Sequence, residues 1–413
     1  MTRHPLRDAV SMLVGLVLAV EVGSLWAWGT PAFWRALEGP QRTVPLVLGW
    51  GFAAWGVWQA ARARMHRLSR GEDVWTWSVV LAMAMGGLLG LWAVFRLYYS
   101  RKFLLGASGV LWLWGVLRYI LGTSRRRIRY GVVPLGRLEV LEELDGVEWV
   151  SLPHPRAREL LDGLEGVVVD FPYLTPDWQS FLGMCAVRSI PVIPLPQLVE
   201  ERTGRVPLQF LSGEVIQDLA RPRPYVYWKT WLDRLLVFIS SPLWIPLALA
   251  TALLVWLDVG WPVLFVQERV GLGGRVFRLW KFRTMKGSGP RWTRPDDARV
   301  SALGRLLRRL HLDELPQFWN VLRGEMSVVG PRPEQVPIVA ELQRRVPYYA
   351  YRHRVRPGMT GWAQIHQGYT DDVMSSWTKW EYDLYYVKHV SPWLDLWILL
   401  QTFRVVLTGR GAR

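Results

Sequence analysis

Four apolar runs open the chain, at about residues 9–28, 44–60, 74–98 and 103–121. Each is close to the ~20 residues that a helix needs to cross a hydrocarbon core, so four membrane-spanning helices are predicted. The first run has no small-residue cleavage site and three more follow it, which argues against a removable signal peptide. From Ile128 to about Leu211 the pattern changes to short β-type runs alternating with polar, helix-like pieces. Strands are predicted at 129–133, 147–152, 166–171 and 191–195, with helices at 138–144, 155–164 and 177–189. Such alternation predicts a small parallel α/β domain. A fifth apolar stretch, 232–257, is interrupted by Ser240-Ser241-Pro242 and again by Pro246. A proline inside a helix removes a hydrogen bond and kinks it. The stretch therefore reads either as one kinked spanning helix or as a re-entrant helix–break–helix. Beyond Asp258 the chain is polar and rich in arginine.

The basic residues orient the first four runs. Arg3 and Arg7 precede the first, Arg62, Arg64, Arg67 and Arg70 separate the second and third, and Arg125, Arg126, Arg127 and Arg129 follow the fourth. By the positive-inside bias, both ends of this bundle face the cytoplasm. Glu21 within the first run is either a functional carboxylate or a paired one. Over 413 residues, 50 Lys and Arg stand against 34 Asp and Glu, a formal net charge of +16, with 51% hydrophobic residues and 26 tryptophans. Disorder is excluded by the apolar content, and a lone Cys185 excludes a disulfide framework or a thiolate zinc site. His311 and His366 have no second His or Cys at ligand spacing, which argues against zinc altogether. The basic excess is spread over loops rather than gathered on a base-reading motif, so no nucleic-acid partner is expected.

Chemistry concentrates in 298–333. Arg299, Arg305, Arg308 and Arg309 precede the adjacent carboxylates Asp313 and Glu314. A helix is predicted here, with Asp313 as N-cap, Pro316 in the first turn and Gly324 as terminator. Leu315, Phe318, Trp319 and Leu322 would form its apolar face. Helix capping beside a solvated arginine face accounts for these residues on local grounds. The functional reading is that the positive helix end and the arginines gather phosphates. One carboxylate would then act as nucleophile while the other holds Mg²⁺. After the first predicted strand, the turn Val133-Pro134-Leu135-Gly136-Arg137 lacks a G-x-G-x-x-G fingerprint, so no nucleotide is expected in the middle domain.

Asp313-Glu314-Leu315-Pro316-Gln317 and Gly330-Pro331-Arg332-Pro333 resemble the bacterial sugar transferase family, the monotopic polyprenyl-phosphate hexose-1-phosphate transferases. Upstream the resemblance takes in Asp233, Ser241-Pro242, Gln267-Glu268-Arg269-Val270-Gly271 and Lys281-Phe282-Arg283-Thr284-Met285. Downstream it takes in Val355-Arg356-Pro357-Gly358-Met359-Thr360-Gly361-Trp362-Ala363-Gln364 and Glu381-Tyr382-Asp383. It runs from about Tyr225 to the C-terminus. The family's large form implies a membrane protein of α plus α/β class in three parts. These are a four-helix transmembrane bundle over 1–122, an abbreviated Rossmann-like module over 123–221, and a catalytic domain over 222–413. A re-entrant helix at 232–257, broken at Ser241 and Pro242, would set the active site at the inner leaflet.

The resemblance implies Asp313 as the nucleophile and Glu314 as the Mg²⁺ ligand. Lys281, Arg283, Arg308, Arg332 and Arg356 are the implied substrate-binding residues. The implied reaction passes a hexose 1-phosphate from a UDP-hexose to undecaprenyl phosphate, releasing UMP through an aspartyl sugar-phosphate. It would start exopolysaccharide, capsule or O-antigen synthesis at the cytoplasmic face of a bacterial inner membrane. The large form implies UDP-glucose or UDP-galactose, with glucose ahead. His366-Gln367-Gly368 stands where relatives often have Asn-Gly-Arg, so sugar preference does not carry over from that loop. A helical bundle with a soluble module could support a homodimer. The rival reading is a non-catalytic membrane scaffold, against which the intact carboxylate pair and Arg332 argue.

Overall fold

The computed structural model describes residues 5–28, 51, 78, 81, 101–122, 128–144, 146–286, 299–366 and 373–408. The second and third apolar runs, the arginines between them, Arg125, Arg126, Arg127, Gln367 and Gly368 lie outside these residues, apart from three isolated positions in the runs. The chain divides into two compact units, Met1–Thr203 and Gly204–Arg413.

In the first unit, helix α1 (Pro5–Trp28) packs on helix α2 (Arg101–Gly122). Met12, Leu16, Ala19 and Val20 recur at helical spacing and are buried, as are Phe103, Ala107 and Leu111 opposite. Gly23 permits the close approach, since a Cβ there would lie 3.1 Å from the Ala107 nitrogen. Outward, Val10, Leu13, Val14, Leu18, Val22 and Leu25 are exposed, so the pair is apolar on both faces. Glu21 is half-buried and engaged in a polar interaction.

The sheet that follows comprises β1 (Ile128–Val132), β2 (Val147–Ser151), β3 (Gly166–Val169) and β4 (Val192–Pro194), all parallel in the order β2-β1-β3-β4. Gly-Val-Val-Val of β3 is buried throughout, the continuous apolar run that a parallel strand covered on both faces requires. Helices α3 (Pro176–Val187) and α4 (Leu195–Thr203) complete the unit. Trp178, Phe181, Leu182 and Cys185 of α3 close its core against Val167 and Val169. The helices predicted at 138–144 and 155–164 are instead 3₁₀ turns, Leu138–Glu143 and Arg158–Leu161, too short for an α-helical crossover.

The second unit begins earlier than the predicted boundary at 221/222. Gly204–Ala220, including α5 (Gly213–Ala220), is tied to later chain, with Val206 N–H donating to the Glu381 carbonyl at 3.1 Å and Trp362 Nε1 to that of Gly204 at 2.6 Å. Helices α6 (Pro224–Ile239) and α7 (Ser241–Val259) follow, divided at Ser240. Among the described residues, α7 is the one helix long and apolar enough to cross a membrane. The order then runs β5 (Leu264–Val270), β6 (Val276–Phe282), α8 (Ala302–Arg309), α9 (Gln317–Arg323), β7 (Ser327–Val329), α10 (Val336–Arg345), β8 (Gly358–Thr360), α11 (Trp362–His366), α12 (Val373–His389) and α13 (Pro392–Thr408). β5 and β6 pair antiparallel, and β7 pairs parallel with β8.

Both ends of the α6–α7 pair are fastened to this unit. On α6, Lys229 is buried in ion pairs with Asp395 and Asp233, Tyr225 donates to Asp395 at 2.7 Å, and Ser327 hydrogen-bonds Asp233. Near the end of α7, Val255 packs with Phe282 and Leu307, and Asp258 meets Lys286 at 3.1 Å. Between these anchors Phe238, Ile239, Leu243 and Leu249 are exposed, Leu243 by 79%.

Candidate active site

Asp313 and Glu314 do not cap a helix as the sequence predicts. They occupy a single 3₁₀ turn, Leu312–Glu314, and α9 begins only after Pro316. Pro316 has no N–H to continue an α-helical ladder, and the chain here closes i→i−3 bonds, Leu315 to Leu312 and Phe318 to Leu315. His311, at φ 56°, makes the left-handed bend that separates the turn from α8. The tight turn leaves both carboxylates only 8% exposed.

Their surroundings differ. Lys281, from the end of β6, donates to Glu314 Oε1 at 2.7 Å, and Arg332 Nη2 reaches the same oxygen at 2.8 Å. Burial opposes charge on Glu314, but the two cations overcome it and hold this carboxylate well below the usual range. Among the described residues no hydrogen bond or ion pair reaches Asp313. Burial and the neighbouring Glu314 charge push Asp313 up, against the pull of Lys281, Arg308 and Arg332. One carboxylate is thus a fixed anion and the other an uncommitted one.

Arg332 is aimed by its backbone. Arg352, buried with Asp383 at 2.7 Å, also donates to the Arg332 carbonyl at 2.9 Å. Arg269 donates to the Pro333 carbonyl at 3.0 Å, and Lys379 holds Glu334 at 2.5 Å. Upstream, Gly330 lies so close to β8 that a Cβ would come within 2.4 Å of the Arg356 carbonyl.

Of the other sequence candidates, Arg308 is near enough to act on Asp313, with Nε anchored on Thr284 Oγ1 at 2.9 Å. Arg283 turns back to the Met285 carbonyl at 3.3 Å. Arg356 is not brought to the carboxylates. It donates to the Gly324 carbonyl at 2.9 Å and to Thr230 at 2.6 Å, tying α6 to the end of α9. Ser241 and Pro242 open α7 immediately after the Ser240 break. Thr284, Arg352 and Asp383 were not among the sequence candidates for the site; their roles rest on contacts between residues distant in the chain. Among the described residues no group of three or more His, Cys, Asp or Glu side chains is gathered to hold a metal.

Residues 224–409 match the family model described as bacterial sugar transferase. Along nearly its whole length the chain is similar to a UDP-N-acetylgalactosamine-undecaprenyl-phosphate N-acetylgalactosaminephosphotransferase of Aeromonas hydrophila, 37% identical over 97% of this chain and 95% of that one. The chain belongs to the bacterial sugar transferase family. As a sugar transferase it is an enzyme. It is also similar to a UDP-glucose:undecaprenyl-phosphate glucose-1-phosphate transferase of Xanthomonas campestris pv. campestris, 36% identical over 64% of this chain and 53% of that one. A transferase of the same printed name from Escherichia coli (strain K12) is 41% identical over 41% of this chain and 37% of its own. The matched segment contains Lys281, Asp313, Glu314 and Arg332, so the geometry above belongs to the transferase domain itself.

Proposed function

We propose that this transferase moves a hexose 1-phosphate from a UDP-hexose to undecaprenyl phosphate through a covalent intermediate on Asp313. The observation that carries the reading is the asymmetry of the pair, with Glu314 pinned by Lys281 and Arg332 while Asp313 is uncommitted. In the first step an Asp313 carboxylate oxygen attacks the phosphorus bonded to the sugar. The bond from that phosphorus to the bridging oxygen of the diphosphate breaks, and UMP leaves with the electron pair. In the second step a phosphate oxygen of undecaprenyl phosphate attacks the same phosphorus, displacing Asp313 and giving undecaprenyl-diphosphate-hexose. Neither step requires a general base at neutral pH, because both nucleophiles are already anionic. Lys281, Arg308 and Arg332 offset the charge of the diphosphate.

Mg²⁺ fits the donor set. This ion keeps waters and phosphate oxygens and asks for only one or two carboxylates. Both cations converge on Glu314 Oε1, so Oε2 is the oxygen through which Glu314 would hold it. When bound, it would further neutralise the diphosphate.

The α6–α7 pair is read as the re-entrant hairpin, because both its ends are anchored in one polar domain while its middle is apolar and exposed. The active site then lies at the cytoplasmic surface of the inner membrane, where a lipid phosphate meets a soluble nucleotide sugar. The four N-terminal apolar runs form the spanning bundle, and the parallel sheet is an abbreviated Rossmann-like module. UDP-N-acetylgalactosamine stands first as donor, ahead of the UDP-glucose favoured from sequence. A relative matched over 95% of its length carries that name, whereas the glucose transferases match parts of the chain.

Purified protein with Mg²⁺, undecaprenyl phosphate and a panel of UDP-sugars should release UMP, and Asp313→Asn should abolish release. Mass spectrometry after UDP-sugar alone should place a hexose-phosphate on Asp313. Undiminished turnover in the variant would refute the nucleophile, and an adduct on Glu314 would exchange the roles. On a Cys185→Ser background, cysteines at both flanks of the hairpin should react only from the cytoplasmic side. Labelling of the two flanks from opposite sides would mean a spanning helix.

A further inference from the structure

Asparagine is a poor helix former because its side chain competes for backbone groups, yet Asn320 sits within α9 and is wholly buried. Its amide is fully used. Oδ1 accepts from the Trp280 N–H at 3.2 Å, while Nδ2 donates to the Arg278 carbonyl and to Glu325 Oε2, each at 2.7 Å. Arg278 and Trp280 lie two apart on β6, whose other side is paired with β5 in a two-stranded sheet. The N–H and C=O that Asn320 takes are therefore those of the open edge. A single side-chain amide does the work of a further strand over one repeat. The main chain fixes the same residue at the end of α9, where Glu325 and Met326 N–H groups both donate to the Asn320 carbonyl.

What this joint connects is the site. Lys281 is the residue after Trp280 on β6, and Glu314 lies six residues before Asn320 on the chain entering α9. We propose that Asn320 is a positioning residue for the transfer reaction, fixing the register of β6 against α9 so that Lys281 meets Glu314. Only a group carrying both donor and acceptor at this length satisfies the edge. Aspartate lacks the donor, leucine lacks both, and glutamine is one methylene too long. This inference rests on the proposed role of the carboxylate pair, but its first readout is independent of turnover.

That readout is the rate at which Lys281 is acylated by an amine-reactive reagent, followed by peptide mass spectrometry on the full-length protein. In Asn320→Ala, Lys281 leaves Glu314 and should be modified about 10-fold faster than in the parent, the scale on which supporting residues usually act. The second readout is the division of the change in UMP release between kcat and KM. Asn320→Ala should shift both constants in the same direction as Lys281→Met, and the double variant should add nothing further. Asn320→Ser, whose hydroxyl can take one of the two edge bonds, serves if the alanine variant does not fold, and should give a smaller change in the same direction. Unchanged Lys281 acylation in a folded variant would overturn the proposal. So would additive shifts in the double variant, which mark a merely structural residue. Faster acylation with undisturbed UMP release would uphold the positioning while refuting the role given to Lys281 and Glu314 in the reaction.

Discussion

Replacing Arg332 by Gln removes one of two cations that share a single oxygen of Glu314. The guanidinium lies 2.8 Å from Oε1 and the Lys281 ammonium 2.7 Å, so each contributes about half of the attraction. Two unit charges at 2.8 Å attract by roughly 6 kcal/mol at an effective dielectric of ~20. Desolvation and the remaining lysine offset much of that, which leaves a shift of about 1–3 pKa units for losing one close cation, or about 1.4–4 kcal/mol. Asp313 feels the same arginine, and the adjacent carboxylates titrate as a pair. The acid limb of the UMP-release profile reports the last proton to leave that pair. In the parent, burial and the Glu314 charge raise Asp313, so that carboxyl sets the limb. In Arg332→Gln the limb should move upward by about 1–3 pH units, and Arg332→Lys should move it less. For stability the sign follows from Glu314. Its lowered pKa contributes stability above the ordinary Glu value of about 4.3 that is lost as pH falls below it. The difference in melting temperature between parent and Arg332→Gln should therefore be largest at neutral pH and shrink in acid. A folded variant with an unmoved acid limb would refute the account of the pair.

Three further outcomes follow from the packing. Gly330→Ala should lower stability by about 1–3 kcal/mol in chemical denaturation, since its Cβ would meet the Arg356 carbonyl at 2.4 Å and the Gly358 nitrogen at 2.9 Å. Lys229→Met leaves Asp395 and Asp233 buried without their cation and should destabilise the second unit by about 3–5 kcal/mol, read as lost folded yield or a lowered melting temperature. Chelation with EDTA should stop UMP release, and Mg²⁺ should restore it; full activity in a metal-free preparation would remove the ion from the mechanism.

Much of this molecule can be read from periodicity and local chemistry, and the exceptions have identifiable causes. The strands of the middle sheet carry short apolar runs between polar turns, so all four lie within a few residues of their predicted positions. The intervening 138–144 and 155–164 carry enough helix-forming residues to suggest α-helices, yet only 3₁₀ turns form, because capping and tertiary packing decide such short pieces. Asp313-Glu314 before an apolar face also looks like a helix start. What local pattern leaves out is the effect of Pro316, which holds the pair in a separate turn. Lys281 and Arg283 alternate at strand spacing, which suggests a shared duty. In the fold the strand ends at Phe282, and Arg283 closes on its own loop instead. Arg356 has the charge of a phosphate ligand, but its partners, Thr230 and Gly324, lie 126 and 32 residues away. No local signal identifies contacts of that range.

The anchoring of α6 has a consequence for the order of events during synthesis. Tyr225 and Lys229 are held by Asp395, which follows them by 170 and 166 residues. The apolar α6–α7 pair is therefore complete long before the carboxylate that fastens its base has left the ribosome. Chains released before Asp395 carry the finished apolar helix pair without that carboxylate, and a lysine whose remaining acidic partner is Asp233 on the same helix. The C-terminal helix α13 thus acts as the closing clasp of the domain, and interrupted translation leaves an open one.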